Sequence, residues 1–171
     1  MPWRTILVLL SVAVAAVPLP AASVGDSHFA DRILAIHNRE RAAVGSPPLA
    51  WDPRLAEAAA SYGPTLAKLG SLVHSPRASR PGQRENLAMG STGYYDDRTL
   101  AGLWVAEKHH FAPGLFPNVS RTGNWEDVAH YTQMVWRGTT HVGCALWRGG
   151  GKDYLICRYS PPGNKDGSPV Y

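Results

Sequence analysis

The chain has 171 residues, of which 44% are hydrophobic, with 17 lysines and arginines against 13 aspartates and glutamates. This length suits one domain with its own hydrophobic core. The excess of positive charge is small and no run of basic residues concentrates it, so the composition gives little support for nucleic-acid binding.

Residues 1–23 have the pattern of a signal peptide. Arg4 precedes an apolar run over residues 6–17 that only Ser11 interrupts, and Ala21-Ala22-Ser23 provides small residues for cleavage. An uncleaved anchor is the alternative, although the run is short for a membrane span. We expect a secreted, extracellular protein, or a periplasmic one in a bacterium, with no transmembrane segment after cleavage. The domain is expected over residues 26–165, with a short tail at 166–171.

Two helices are predicted in the first part of the domain. The first starts after Asp26 and Ser27 and runs towards Ala43, and its apolar stripe includes His37, which we interpret as a buried histidine with a partner, not as a ligand. The second starts at Asp52-Pro53, with the aspartate as cap and the proline in the first turn. Gly63-Pro64 lies inside its apolar pattern and is expected to kink or split it.

A third helix is predicted over about residues 97–110, and Glu107 shares one face with its apolar side chains. Burial of an unpaired carboxylate is costly, so Glu107 either has a partner or is a surface charge at the edge of the stripe. The loop that follows, residues 111–128, contains Phe111, Phe116 and Trp125. These aromatic side chains either form an exposed apolar ligand site or belong to the core.

The C-terminal part is predicted to be β-structure, with strands at 130–136, 141–147 and 153–160. Glycines between the last two strands indicate a hairpin turn. Cys144 and Cys157 are the only cysteines, and an exported protein is expected to join them in a structural disulfide. Helices followed by strands indicate an α+β fold or a three-layer α-β-α sandwich.

Two segments, AHYTQMVW at 129–136 and LICRYSPPGN at 155–164, resemble the most specific motifs of the CAP superfamily. This superfamily contains cysteine-rich secretory proteins, insect venom antigens and class-one pathogenesis-related proteins of plants. The resemblance covers nearly all of the mature chain, including the positions of His37, Trp104 and Glu107. With one possible disulfide and no cysteine-rich C-terminal extension, the chain is most similar to the compact, bacterial-style secreted members. Arg84 is a departure, because a glycine usually occupies that position.

The resemblance implies an α-β-α sandwich with a central cavity. Members of the family line that cavity with two histidines and two glutamates, which correspond here to His74, Glu85, Glu107 and His130. In some relatives the histidines hold zinc or another divalent cation. Imidazole and carboxylate groups suit zinc and leave positions open for water. A buried polar network without chemistry is the alternative for the same four residues.

Three functions are compatible with these features. The first, which we favour, is a non-enzymatic secreted protein that binds a lipid, a sterol or an extracellular protein target. The second is a metal-dependent hydrolase in which zinc activates water and Glu85 or Glu107 is the general base. The third is an extracellular scaffold that acts through surface contacts alone.

Overall fold

Four helices and one four-stranded sheet make up residues 28–171, the part of the chain that the computed structural model describes. The signal peptide predicted at 1–23 and the predicted start of the domain at residue 26 lie outside these residues. The helices and strands, in chain order, are α1 (Phe29–Ala43), β1 (Ala50–Trp51), α2 (Pro53–Leu69), β2 (Arg84–Ser91), α3 (Asp97–Ala106), α4 (Ala129–Val135), β3 (His141–Gly149) and β4 (Lys152–Ser160).

The sheet has the strand order β1-β3-β4-β2, with β1 parallel to β3 and the other neighbours antiparallel. Strands β3 and β4 form the predicted hairpin, and Gly150 and Gly151 occupy its turn with φ angles of 60° and 75°. In this register Cys144 lies opposite Cys157, and the two are joined in a disulfide. The predicted disulfide is therefore confirmed.

Helices cover both faces of the sheet, which confirms the three-layer α-β-α arrangement. Helix α2 packs on one face, where Ala59 and Leu66 contact Leu87, Tyr154 and Ile156 of the strands. Helices α1, α3 and α4 pack together on the other face around the larger core. None of the helices in residues 28–171 has the length and hydropathy needed to cross a membrane.

The first three helices confirm most of the predicted boundaries. The side chain of Asp52 accepts a hydrogen bond from the main-chain N–H of Arg54 (2.8 Å) and so caps α2 as expected. The helix is not split at Gly63-Pro64, contrary to one of the two expected outcomes. Gly63 has a packing role, because a Cβ there would lie 2.3 Å from the Trp147 ring. Helix α3 ends at Ala106, and a 3₁₀ turn over Glu107–His109 follows it.

The strand predicted at 130–136 is wrong, because this segment forms helix α4. Its β-branched and aromatic residues favour extended structure, but tertiary contacts decide its conformation. The carboxylate of Glu107 accepts hydrogen bonds from the main-chain N–H groups of His130 (2.9 Å) and Tyr131 (3.0 Å). Those N–H groups lie in the first turn of the helix, where no intrahelical partner exists. A distant side chain therefore replaces the missing local cap.

Candidate functional site

A cleft of about 530 Å³ opens between the start of β2 and helix α4. One wall contains His74 and Glu85 from the loop before β2 and from β2 itself, and another contains His130 of α4. Phe116 and Trp125, from the long loop before α4, complete an aromatic side. The cleft therefore contains three of the four residues that correspond to the family's cavity set.

The first histidine, His74, is held by Glu85. Its Nδ1 lies 2.7 Å from Oε1 of that carboxylate. Glu85 also accepts hydrogen bonds from the main-chain N–H (3.0 Å) and the hydroxyl (3.1 Å) of Ser75, and Arg158 forms an ion pair with it at 2.9 Å. Burial acts to raise the pKa of Glu85, but the hydrogen bond to His74 and the charge of Arg158 outweigh it, so the pKa lies below its ordinary value. Glu85 is thus an anchored, ionised carboxylate.

The second histidine, His130, is held by Glu107 in the same way. Its Nδ1 lies 2.5 Å from Oε1 of Glu107, while Oε2 accepts the main-chain N–H groups of His130 and Tyr131. The indole ring of Trp104 stacks on the imidazole with centroids 6.0 Å apart and an interplanar angle of 18°. Glu107 therefore has partners, and it is not the exposed surface charge that the sequence left open. It contacts Nδ1 of His130 but does not line the cleft.

A buried hydrogen-bond chain links the second pair to the core. Asn86 donates from Nδ2 to the main-chain oxygen of His130 (3.1 Å) and to the hydroxyl of Tyr159 (3.1 Å). That hydroxyl lies 2.9 Å from Nε2 of His37, whose Nδ1 lies 2.8 Å from the carbonyl oxygen of Ile33. A carbonyl only accepts, so Nδ1 of His37 carries the proton and Nε2 accepts from Tyr159. His37 is a buried histidine with partners, as predicted.

The four residues form two separate His–Glu pairs. Within residues 28–171 no three His, Cys, Asp or Glu side chains are grouped so that they could hold a metal ion. Each glutamate contacts Nδ1 of its histidine, and no described residue hydrogen-bonds either Nε2. A carboxylate on one imidazole nitrogen is the usual support for a histidine that binds metal through the other nitrogen. The donor chemistry of each imidazole therefore fits a divalent cation, although the described residues supply two imidazoles and no grouped third ligand.

The three aromatic residues of the long loop have different environments. Phe111 is buried and packs on Tyr131 and Tyr171, so it belongs to the core. Phe116 and Trp125 line the cleft with their ring centroids 5.4 Å apart. Phe116 is buried, whereas Trp125 is 41% exposed. Only these two are placed to contact a ligand in the cleft.

The cleft also contains residues that the sequence did not mark as functional. They include the polar side chains Asn86 and Gln133 and the basic residues Arg77, Arg80 and Lys165. The basic residues come from the loop before β2 and from the segment after β4, and no local pattern connects them. Arg84 lies beside them, and its departure from the family pattern was the one available signal.

Comparison with known proteins agrees with this architecture. Residues 34–159 match the cysteine-rich secretory protein family, CAP. The chain is 35% identical over 170 residues to a PR-1 type pathogenesis-related protein of Sambucus nigra, covering 99% of this chain and 97% of that protein. It is 39% identical over 137 residues to pathogenesis-related protein 1C of Nicotiana tabacum, covering 79% and 76% of the two chains.

Among solved structures, the crystal structure of NaASP2 with Zn²⁺ superimposes with a TM-score of 0.69 and 24% sequence identity, covering 85% of this chain and 86% of that one. That likeness concerns the fold. The assignment of the chain to a family rests on the extent of the family match and on the sequence identity to the plant relatives. The chain belongs to the cysteine-rich secretory protein, or CAP, family.

Proposed function

We propose that the protein is a secreted binding protein whose cleft takes an apolar ligand, a lipid or a sterol, beside a divalent cation held by His74 and His130. The single observation that carries this proposal is the presence of two carboxylate-supported imidazoles in one solvent-accessible cleft. The side chains of His74 and His130 are 54% and 30% exposed, whereas those of Glu85 and Glu107 are 0% and 18% exposed. The histidines are therefore accessible to a cation, and the less exposed glutamates serve as their supports.

Secretion is supported by the signal-like first 23 residues and by the disulfide between Cys144 and Cys157. Disulfides persist in oxidising compartments and are rare in the cytosol of most organisms. The binding role is supported by the size of the cleft and by its aromatic side. A volume of about 530 Å³ lies within the range of small-molecule sites, and Phe116 and Trp125 supply apolar contact area.

A hydrolase with Glu85 or Glu107 as general base has less support. Both oxygens of each carboxylate already accept hydrogen bonds, from a histidine and from main-chain or hydroxyl groups. A general base needs a lone pair directed at the proton that it removes. Glu107 also does not line the cleft. These contacts favour an orienting role for both glutamates, so we do not propose the hydrolase. The third candidate function, a scaffold that acts through surface contacts alone, gives no role to the two histidines that the glutamates hold.

Zinc titration by calorimetry tests the cation half of the proposal. Protein purified without chelators is compared with the variant His74→Ala/His130→Ala and with His109→Ala/His110→Ala, which removes two exposed histidines outside the cleft. We expect the first variant to lose zinc binding and the second to keep it. Equal zinc affinity in both variants would contradict the proposal and would leave the polar-network interpretation.

Ligand binding is tested with labelled sterol and fatty acid at micromolar concentration. Trp125→Ala should weaken binding of the lipid that binds the wild type, because it removes exposed apolar area from the cleft wall. The control is Leu103→Ala. Leu103 is 54% exposed and lies outside the cleft, so its truncation should leave lipid binding unchanged. No binding of either lipid by the wild type would end the lipid half of the proposal.

A further inference from the structure

One wall of the cleft carries an excess of positive charge. Four cationic side chains line it: Arg77, Arg80, Arg84 and Lys165. The acidic residues among the lining are Glu85 and Asp166, and Glu85 already pairs with Arg158 and contacts His74. Asp166 alone is left to balance the four cations. The protein as a whole carries a formal charge of only +4, so this concentration of charge is specific to the wall.

Two of the arginines are fixed in place by groups that do not neutralise them. Arg80 donates to the main-chain oxygens of Ser75 (3.1 Å) and Gln83 (3.3 Å). Arg84 donates from Nε to the oxygen of Gly163 and from Nη2 to that of Asn164, both at 3.1 Å. A carbonyl oxygen orients a guanidinium group, but it carries no formal charge. Nη1 of Arg84 has no hydrogen-bond partner among the described residues.

The other two cations are not held by the part of the chain that the structure describes. The side chains of Arg77 and Lys165 form no hydrogen bond or ion pair within residues 28–171, and both residues are exposed. The pKa of Arg84 lies below its usual value, first because the side chain is partly buried and then because Arg77 and Arg80 repel its charge, while Asp166 acts in the opposite direction. Arg77 and Arg80 therefore lie close enough to Arg84 to repel its charge, and an anion between them would relieve this repulsion.

The same cleft also has an apolar part, where Phe116, Pro117 and Trp125 provide ring surfaces. We propose that the basic wall is an oxyanion subsite, which holds the phosphate or carboxylate group of an amphiphile whose apolar part lies against Phe116 and Trp125. The proposal rests on the ligand-binding role of the cleft and adds the chemical class of the ligand. Planar guanidinium groups suit an oxyanion because they donate two parallel hydrogen bonds to it.

The test uses lysophosphatidic acid and lysophosphatidylcholine of the same acyl chain, below their micelle concentrations, with inorganic phosphate as a third probe. The two lipids share the apolar part and the phosphate, but choline cancels the charge of the second. Titrations are done with chelator, so the result does not depend on a bound cation. We expect lysophosphatidic acid to bind about tenfold or more tighter than lysophosphatidylcholine, and its affinity to fall with added salt.

The informative variant is Arg77→Gln/Lys165→Gln, because neither side chain supports the fold. Its matched control is Arg98→Gln/Lys68→Gln, which removes the same charge from exposed positions outside the cleft. We expect the first variant to bind lysophosphatidic acid at least about fivefold more weakly, with a smaller salt dependence, and the control to bind like the wild type. Arg84→Gly should weaken binding as well, but it also removes contacts to Gly163 and Asn164.

Equal affinity for the two lipids, or equal affinity of the two double variants for lysophosphatidic acid, would overturn the proposal. Inorganic phosphate binding as tightly as lysophosphatidic acid would overturn its apolar half and leave a site for a free anion. These failures are distinguishable from failure of the cation site. The zinc titration of His74→Ala/His130→Ala is a separate measurement, and its result does not alter the outcome in chelator.

Discussion

Glu107 bonds to both the side chain and the main chain of His130, across 23 positions of sequence. One carboxylate oxygen fixes the imidazole through Nδ1, and the other accepts the N–H groups that begin helix α4. The side chain of Glu107 therefore orients His130, the candidate metal ligand, and also supports helix α4, which carries His130. The second pair, Glu85 and His74, lacks this double role, because Glu85 bonds instead to Ser75 and Arg158.

Glu107→Gln should reduce zinc affinity about tenfold or more. The amide supports the imidazole less strongly than the carboxylate does, and loss of such outer contacts usually costs 10–100-fold in metal affinity. The measurement is zinc titration by calorimetry at fixed pH. Glu126→Gln is the control, since this glutamate is exposed on the turn before α4 and does not line the cleft. Unchanged affinity in Glu107→Gln would show that the pair does not support a metal ligand.

His37 should make the protein less stable as the pH falls from about 6.5 towards 4. Burial lowers the pKa of His37 to about 4 from 6.5; the hydrogen bond to Ile33 opposes this shift and the charge of Arg41 adds to it. In the window between these values the unfolded chain takes up a proton and the folded chain does not. The free energy of unfolding therefore decreases with falling pH, by about 3 kcal/mol in total from this group.

Urea denaturation at several pH values checks this expectation against His37→Gln. Glutamine does not titrate, so the variant should have a shallower dependence of unfolding free energy on pH, whatever its absolute stability. The comparison is cleanest above about pH 4.5. The pKa of Glu85 is lowered from 4.5, so its own contribution to stability is lost only below that value. Parallel pH profiles for the two proteins would contradict the assignment.

The disulfide should account for a large part of the stability. Cys144→Ala/Cys157→Ala opens a loop with a sequence separation of 13 residues, and the chain-entropy model gives a loss of about 3 kcal/mol. The measurement is the free energy of unfolding in urea. Adding a reductant to the wild type should produce a similar loss and should leave the variant unchanged. A reductant effect on the variant would point to a cause other than the disulfide.

Local patterns predicted the elements whose stabilising contacts are close in sequence. Helix α2 has its cap at Asp52 and its proline in the first turn, and the β3–β4 hairpin has its glycines at the turn. Strand β2 was not among the predicted elements. Its consecutive residues Glu85 to Ala88 are all buried, so the alternation that marks a half-exposed strand is absent.

The candidate site could be predicted only through the family resemblance, because its residues are far apart in the sequence. The spacing of His74, Glu85, Glu107 and His130 is not a local metal-binding pattern, and only the fold brings each histidine to its glutamate. The resemblance supplied these residues, but it did not reveal that each glutamate contacts Nδ1 of one histidine. The family resemblance could not predict the basic wall, because Arg77 and Lys165 come from separate parts of the chain and meet at the cleft through tertiary structure.

Arg41 connects helix α1 to the loop that follows it and to the C-terminal end of α4. Its fully buried guanidinium donates to the main-chain oxygens of Pro47 (2.5 Å), Met134 (3.0 Å), Trp136 (2.9 Å) and Thr139 (2.9 Å). Burial lowers the pKa of this guanidinium to about 10, so it stays charged at neutral pH. The charge is solvated by carbonyl groups in place of water.

Arg41→Met should therefore destabilise the protein by about 3–5 kcal/mol, because it leaves the main-chain oxygens of Pro47, Met134 and Thr139 without a donor among the described residues. Arg41→Lys should lose less, since an ammonium group keeps the charge but not the planar set of donors. Arg39→Met is the control: this side chain is 65% exposed and, within residues 28–171, pairs only with Glu40. Its loss should change the unfolding free energy by less than about 1 kcal/mol. Urea denaturation of the three variants gives the comparison. If Arg41→Met were no less stable than Arg39→Met, the main-chain segment before β3 would hold its position without this guanidinium.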